Sequence, residues 1–287
     1  MHRSTLSPKW VLALVLLASW IPPPAAADDA KALMSDVWNR FRQAKSETES
    51  SEILVISSPP EAFHTRDQVQ GLIVSPPSTV KHKRATREVA YDVDGTDKTH
   101  VLFSLPAEDA GLGLLILSSV SEPTDRMWLY MPGYRSVRQL PASNTQRFAD
   151  TDLLYEDVRA QTGERTAYYD YSIEKTADHA GRPCTVVEAT PTDAVKTSYG
   201  RRVFWIDDEW RFPVRVELYD RSGELWKVLQ NTEVKEVSPG IRRADLVEMR
   251  DLKRKSATVL MTTERKLGAD IPSRVFTQDY LEHPDTP

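Results

Sequence analysis

Apolar residues along this chain follow two different spacings, which predict one helix followed by many strands. Near the start, Leu33, Val37 and Phe41 lie four residues apart. This spacing places apolar side chains on one face of a helix, so we predict a helix over residues 30–44. From residue 80 onward, short apolar runs alternate with turn residues. That pattern is typical of an antiparallel meander, and the helix–strand alternation of a parallel sheet is not visible.

The predicted strands are rich in β-branched, aromatic and large apolar residues, and turn residues separate them. They lie at residues 52–56, 83–93, 99–105, 112–120, 127–131, 168–176, 182–189, 203–207, 214–219, 225–237, 241–250 and 257–267, with a further half-polar strand that ends at Pro141. Strand 127–131 is apolar on both faces. The alternation of apolar and polar residues therefore does not show which face of the sheet points inward.

Two segments depart from the strand pattern. Residues 58–79 are bracketed by two Pro-Pro pairs, which exclude a continuous helix or strand through those pairs, and we assign this segment no role. Around residue 154, two leucines and Tyr155 are surrounded by acidic residues. This second segment is either a mobile lid or an ordinary buried loop, and the residues alone leave both alternatives open.

The first residues have the pattern of an export signal. A basic start is followed by an apolar run at residues 11–20 and by three alanines that end at Ala27. We predict a secretory signal peptide, residues 1–27, that is cleaved after Ala27 to release the protein into the periplasm. The apolar run is short for a membrane span, although an uncleaved anchor is the alternative. Residues 28–287 are predicted to form a single domain.

Charge and residue content exclude several classes of function. Removal of Arg3 and Lys9 with the signal changes the net charge from −5 to −7, which argues against nucleic-acid binding. Cys184 is the only cysteine, so an intramolecular disulfide is impossible and we expect a buried structural thiol. The six histidines show no metal-ligand spacing, and no nucleophile motif occurs. We therefore expect no metal, no cofactor and no enzymatic activity.

One stretch resembles a known family. It contains the run Trp128 to Pro132, a basic strand from Arg135 to Arg138, and the acidic segment at residues 151–157. In this order the three patterns are similar to the outer-membrane lipoprotein-sorting proteins, the LolA-like periplasmic carriers, in the variant that accompanies exporters. Leu153 stands where an aromatic residue is commoner. The similarity continues at residues 203–207, 212–223 and 271–282 and lapses at residues 58–79.

The resemblance implies a fold, a ligand and a partner. The implied fold is mainly β, a curved antiparallel barrel that remains unclosed and is covered by a helical lid. The implied function is a non-enzymatic periplasmic carrier for a lipid or lipoprotein acyl group, in transport to or from the outer membrane. An alternative is an accessory protein that works by contact with an inner-membrane exporter of the resistance-nodulation-division type. We expect a monomer whose contact with membranes is peripheral at most.

The aromatic strands and the acidic segment supply the candidate site residues. If the sheet is an open, curved wall, these aromatic residues line an apolar cavity; if it is a closed sandwich, they are core. The predicted ligand-binding residues are Trp128, Tyr130, Leu153, Leu154, Tyr155, Phe204 and Trp205. Three arginines are predicted to latch the acidic segment over the sheet by pairing with its carboxylates. These latch residues are Arg135, Arg138 and Arg147, with Asp152 and Asp157 as partners.

Overall fold

The computed structural model describes residues 24–119, 121–141 and 146–284. Residues 1–23 of the predicted signal peptide lie outside the described residues. The strands within these ranges are β1 (Ser46–Ser57), β2 (Val80–Ala90), β3 (Thr96–Leu105), β4 (Gly113–Ser119), β5 (Asp125–Met131), β6 (Ser136–Leu140), β7 (Tyr169–His179), β8 (Arg182–Pro191), β9 (Tyr199–Asp207), β10 (Phe212–Asp220), β11 (Leu225–Ser238), β12 (Ile241–Asp251) and β13 (Ser256–Leu267). The α-helices are α1 (Pro24–Arg42), α2 (Arg66–Val74), α3 (Tyr155–Ala160) and α4 (Gln278–Glu282), and two short 3-10 helices span Thr166–Tyr168 and Ser273–Phe276.

All of the described strands belong to one antiparallel sheet. Its order is β6-β5-β4-β3-β2-β1-β13-β12-β11-β10-β9-β8-β7. The first and last of the described strands, β1 and β13, pair in the middle of the sheet, and β6 and β7 form its two edges. The predicted fold class, a curved antiparallel barrel that remains unclosed, is confirmed. Each predicted strand overlaps an observed one.

Helix α1 covers the inner face of the sheet, which we define as the face that carries the largest apolar cluster. Met34, Val37, Trp38 and Phe41 are buried on this side of the helix. The Phe41 ring stacks on Phe212 of β10 at a centroid distance of 5.6 Å. The predicted helix is confirmed, but it begins at Pro24 rather than at residue 30. A proline at the first turn and the alanines that follow it favour this earlier start.

Smaller elements cover the outer face of the sheet. Helix α2 lies within the segment 58–79, between the two Pro-Pro pairs, and Thr65 caps its first turn. It packs over a buried cluster that includes Leu54, Val259 and Met261. At the C-terminal end, Val275, Phe276 and Leu281 pack against Leu115 and Trp128. The outer face is therefore apolar where these segments lie on it.

Candidate functional site

The inner face encloses an apolar cavity of about 120 Å³. Aromatic side chains from α1 and from the neighbouring strands form its walls. These are Trp38, Phe41, Phe204 and Phe212, with the Trp38 and Phe204 rings 5.8 Å apart. We call this space the inner cavity. It lies between the helix and the sheet, so a molecule enclosed there would contact both.

The floor of the inner cavity consists of apolar residues on three adjacent strands. Leu229 of β11, Val247 of β12 and Leu260 of β13 line it, and Val247 lies directly opposite Leu260 in the sheet. All three side chains are only half-buried, in contrast to Met249 beside them. Apolar surface that faces a cavity without a protein partner is available to bind an apolar ligand.

A second, smaller space of about 50 Å³ adjoins the inner cavity. The two spaces share Glu49, Arg87, Gln161 and Leu260 in their walls. Additional apolar side chains of the second space are Ile53, Val101, Phe103, Phe148 and Leu153. The apolar interior therefore extends from β10 across the sheet to β3.

Ion pairs surround the end of the inner cavity near β1. Arg87 donates to Glu49 at 2.7 Å, and Arg265 lies 3.6 Å from the same carboxylate. Burial alone would raise the pKa of Glu49, but Arg87 and Arg265 outweigh it and lower this pKa to about 2. Arg243 donates to Glu47 at 2.9 Å and to the backbone oxygen of Phe41 at 3.0 Å. These contacts connect the C-terminal end of α1 to the sheet.

The acidic segment at residues 150–157 is fastened to the sheet by buried polar groups. Lys227 of β11 is fully buried, and its Nζ donates to the backbone oxygen of Asp152 at 2.7 Å and to the carboxylate of Asp157 at 3.1 Å. The hydroxyl of Tyr199 donates to the same Asp157 carboxylate at 2.8 Å. Burial, followed by the Asp157 charge, raises the pKa of Tyr199 well above its usual value.

Asp152 extends this network to β13. Its carboxylate accepts hydrogen bonds from Ser256 at 2.6 Å and from Thr258 at 3.0 Å, and it is fully buried. Arg147 lies 3.7 Å from Asp152 and donates to the backbone oxygen of Thr151 at 2.6 Å. The arginine–carboxylate pair thus joins the segment to Arg147 just before it, whereas hydroxyl groups and a lysine make the bonds to the sheet.

The predicted site residues divide between the two faces of the sheet. Leu153 and Phe204 line the interior spaces, and Leu154 and Tyr155 are buried in the same apolar cluster. The segment is thus packed as core. Trp128 and Tyr130, which were predicted to bind the same ligand, belong instead to the outer-face cluster, because strand alternation turns those two rings away from the inner face.

Most of the remaining predicted residues lie away from the inner cavity, and Asp157 is the exception. Trp205 alternates with Phe204 and faces Lys175, whose Nζ lies 5.4 Å from its ring. Arg135 and Arg138 lie at the exposed hairpin between β5 and β6, where Arg138 covers the Tyr134 ring at 5.6 Å. Asp157 lines the inner cavity, where it belongs to the Lys227 network.

Several residues of the site were not predicted from the sequence. Trp38 and Phe41 were assigned only to a covering helix, although their large aromatic side chains on one helix face were a usable signal. Leu229, Val247 and Leu260 gave no signal, because every strand of the sheet carries similar apolar residues. Which of these residues face a cavity depends on the pairing of distant strands.

Other kinds of site are not found among the described residues. No group of three or more His, Cys, Asp or Glu residues in these ranges could hold a metal ion. No helix in the same ranges is long and apolar enough to cross a bilayer. Cys184 is buried and free, and burial together with Asp207 raises the pKa of its thiol to about 11. This thiol therefore remains protonated at neutral pH, as expected for a structural cysteine.

Comparison with solved structures identifies the fold. A putative outer membrane lipoprotein-sorting protein domain from Vibrio parahaemolyticus is similar, with a TM-score of 0.77 and 21% identity over 89% of this chain and 99% of that chain. A LolA superfamily protein from Nitrosomonas europaea gives a TM-score of 0.62 and 20% identity, with 88% and 98% of the two chains covered. At these identities the similarity establishes the fold.

Comparison with sequences finds a relative that matches a short segment of this chain and a family model that matches most of it. A segment of 72 residues is 33% identical to the sigma-E factor regulatory protein RseB of Escherichia coli strain K12, covering 25% of this chain. The chain spans only 20% of the length of that relative. A family model that is described as an uncharacterized protein family matches residues 95–283. The chain therefore belongs to that family, and its fold is the one that the resemblance predicted, that of the lipoprotein-sorting, LolA-like proteins.

Proposed function

We propose that this protein is a non-enzymatic periplasmic carrier that binds the acyl chain of a lipid or lipoprotein in the inner cavity, for transport to or from the outer membrane. The observation that carries this proposal is the half-buried apolar floor formed by Leu229, Val247 and Leu260. An acyl chain in water gains about 0.8 kcal/mol for each methylene group that it buries. The inner face supplies apolar surface for that burial.

The indole of Trp38 indicates what kind of apolar ligand fits. Its side chain lines the inner cavity, and its buried Nε1–H has no acceptor among the described residues. A buried donor without an acceptor costs about 1–3 kcal/mol. The carbonyl oxygen of an acyl ester or amide would supply this acceptor, which a plain hydrocarbon would not.

The size of the inner cavity indicates that α1 must move for loading. Ligand sites in proteins usually enclose about 300–1,000 Å³, whereas this cavity encloses about 120 Å³. Trp38 and Phe41 of α1 occupy the space above the floor. We infer that this structure is a closed state and that displacement of α1 exposes the floor to an acyl chain.

The acidic groups at the cavity favour binding over catalysis. Glu49, with a pKa of about 2, is a weak base at neutral pH and is engaged by two arginines. The carboxylate of Asp157 already accepts hydrogen bonds from Tyr199 and Lys227. Both groups are engaged by protein partners. We therefore expect the protein to release the acyl chain chemically unaltered.

Export is the remaining part of the proposal. The pattern of residues 1–27 supports it, and so does the shared fold with a lipoprotein-sorting protein domain. An acyl chain that must cross an aqueous compartment requires a carrier, because its hydration is costly. A cleaved, unanchored protein of this fold would meet that requirement.

The proposal is tested by filling the inner cavity. Val247→Trp places a large ring on the half-buried floor and should weaken the binding of an uncharged fluorescent fatty-acid ester by at least about tenfold. This factor corresponds to two methylene groups of the ester that can no longer be buried. Ile173→Trp, on the exposed edge strand β7, is the matched control and should bind like the unmodified protein. Circular dichroism checks that both variants fold. Equal ester binding by Val247→Trp and the control would contradict the proposal.

A further inference from the structure

A third, larger cavity opens on the surface beside the inner cavity. It has a volume of about 690 Å³ and lies between the start of β5, helix α3, the loop 192–198 and the turn after β10. We call it the outer cleft. Its charged lining includes Asp125, Glu156, Arg165, Lys196, Arg202 and Arg221. The proposed carrier function does not by itself assign any role to this cleft.

Most charges at the base of the outer cleft are neutralised by one another. Three arginines alternate with three carboxylates in a buried network. Its pairs include Arg159 with Glu164 at 3.1 Å, Arg165 with Asp125 at 2.8 Å, and Arg202 with Glu156 at 3.2 Å. Arg202 also pairs with Glu164. This network therefore contributes no excess of either charge.

The rim of the outer cleft carries an excess of positive charge. Lys196 is exposed and forms no ion pair with any described residue. Arg221 donates to the backbone oxygen of Thr197 at 2.6 Å, and within the described part of the chain it has no carboxylate partner. The nearby carboxylate of Asp220 pairs with Lys253 instead. Two unneutralised cations thus lie at one cleft of a chain whose net charge is −5.

The rim also offers a neutral donor and apolar contacts. The buried hydroxyl of Ser198 has no hydrogen-bond partner among the described residues and lines the cleft. Met127, Tyr169 and Val195 supply apolar lining. A guanidinium, an ammonium and a hydroxyl are the groups that bind phosphate and carboxylate oxygens in proteins. The apolar contacts suit the part of a ligand that joins such a group to a chain.

The outer cleft and the inner cavity adjoin at Arg202, which lines both. We propose that the ligand of this protein is an anionic amphiphile, whose oxyanion head group binds Lys196 and Arg221 in the outer cleft while its acyl chain occupies the inner cavity. This inference rests on the proposed carrier function. It adds the chemical class of the head group and the residues that recognise it.

The test compares two amphiphiles that share one acyl chain. Oleoyl lysophosphatidic acid carries a phosphate, and monooleoylglycerol does not; both are titrated below their critical micelle concentrations. We expect the phosphate compound to bind at least tenfold more tightly. Lys196→Glu should weaken the binding of the phosphate compound about tenfold, which corresponds to the loss of one charge-assisted hydrogen bond. The affinity for monooleoylglycerol should not change. Lys81→Glu, at another exposed lysine on β2, is the matched control and should change neither affinity.

The outcomes separate this inference from the carrier function. Equal affinities for the two amphiphiles, or equal effects of Lys196→Glu and Lys81→Glu, would overturn the inference while monooleoylglycerol binding still supported the carrier. If glycerol 3-phosphate alone bound as tightly as the lipid, and with the same dependence on Lys196, the cleft would be a site for a free anion and the amphiphile would be excluded. Lys196→Gln, which only removes the charge, provides a second variant if Lys196→Glu folds poorly.

Discussion

At the scale of single residues, Lys227 joins the segment at residues 150–157 to the sheet. Its ammonium group is fully buried and bonds to the backbone oxygen of Asp152 and to the carboxylate of Asp157. The ring of Trp226 lies 4.8 Å from the same nitrogen. A buried charge is stable only when it is paired in this way, so each partner depends on the other.

Replacement of Lys227 tests how firmly the segment is held. Lys227→Met keeps most of the side-chain volume but leaves the Asp157 carboxylate without its cation. We expect the free energy of unfolding to fall by about 3 kcal/mol, the lower end for a broken buried ion pair. Urea denaturation measures this loss, and hydrogen exchange should become faster at residues 150–160.

The control for this prediction lies on the same strand. Lys235 is exposed and pairs with Asp245 at 2.7 Å. Because exposed pairs contribute about 0–1 kcal/mol, Lys235→Met should change the free energy of unfolding little. Equal losses in the two variants, or unchanged exchange at residues 150–160 in Lys227→Met, would show that the buried pair does not fasten the segment.

Single-residue roles were the least predictable part of the molecule. Phe204 and Leu153 were assigned to the interior from their apolar character, and both line it. Trp128 and Trp205 were assigned in the same way but turn to the opposite face. Their strands are apolar on both sides, so alternation could not distinguish inner from outer rings. The partners of Lys227 lie about 70 residues away, a distance that sequence patterns do not bridge.

At the scale of elements, α1 is the part that must move if the closed structure is to accept an acyl chain. Its buried side packs Trp38 and Phe41 over the apolar floor. Among the described residues, a small number of polar contacts hold it. Ser35 donates to Thr166 at 3.2 Å, and at the other end Arg42 donates to the buried Asp97 carboxylate at 3.0 Å and Arg243 donates to the backbone oxygen of Phe41. Helix displacement would therefore break few hydrogen bonds.

A reversible crosslink tests this movement. The hydroxyl oxygens of Ser35 and Thr166 are 3.2 Å apart, so cysteines at both positions should form a disulfide between α1 and the 3-10 helix at Thr166–Tyr168. We expect the oxidised double variant to bind a fatty-acid ester at least tenfold more slowly than its reduced form. Stopped-flow fluorescence measures the rate of binding.

The natural thiol does not interfere with this test, because Cys184 is buried and its pKa is raised to about 11. Ser35→Cys alone, treated with the same oxidant, controls for oxidation of a single added thiol. Uptake at the same rate in the oxidised and reduced double variant would contradict a moving α1. Entry would then have to occur through another opening.

Elements were predicted more reliably than residues. Short apolar runs separated by turns located all of the observed strands, because each strand carries its own local signal. Strand ends were less accurate: the strand predicted at residues 52–56 is the 12-residue β1. Helix α2 was not predicted, because the flanking Pro-Pro pairs only limited where an element could lie. Its Thr65 capping box with Gln68 was the signal that could have found it.

At the scale of the whole molecule, the sheet order explains why an interior cavity exists. The chain starts at the middle of the sheet with β1, proceeds to one edge at β6, continues from the other edge at β7, and returns to the middle at β13. The two halves meet at the β1–β13 pair, so the inner cavity has a floor of strands from the later part of the chain and a covering helix, α1, from its earlier part.

The pairing of β1 with β13 could not be derived from local patterns. The two strands are about 200 residues apart, with Ile53 opposite Leu260. Neither strand carries a local sequence pattern that identifies the strand with which it pairs. The resemblance to the LolA-like proteins supplied the unclosed, curved architecture that periodicity alone could not. The resemblance did not show which face of each strand points inward, and this orientation determines which residues form the site.

The central claim is that the inner face carries an acyl chain, and native mass spectrometry of the full-length protein tests it most directly. The protein is isolated from the periplasm of cells that export it, without detergent, beside Val247→Trp prepared in the same way. We expect the unmodified protein to carry a bound mass that organic solvent releases and that fragments as an acyl lipid, and Val247→Trp to carry much less. Repeated absence of any lipid mass on the unmodified protein, or equal loading of Val247→Trp, would contradict the claim.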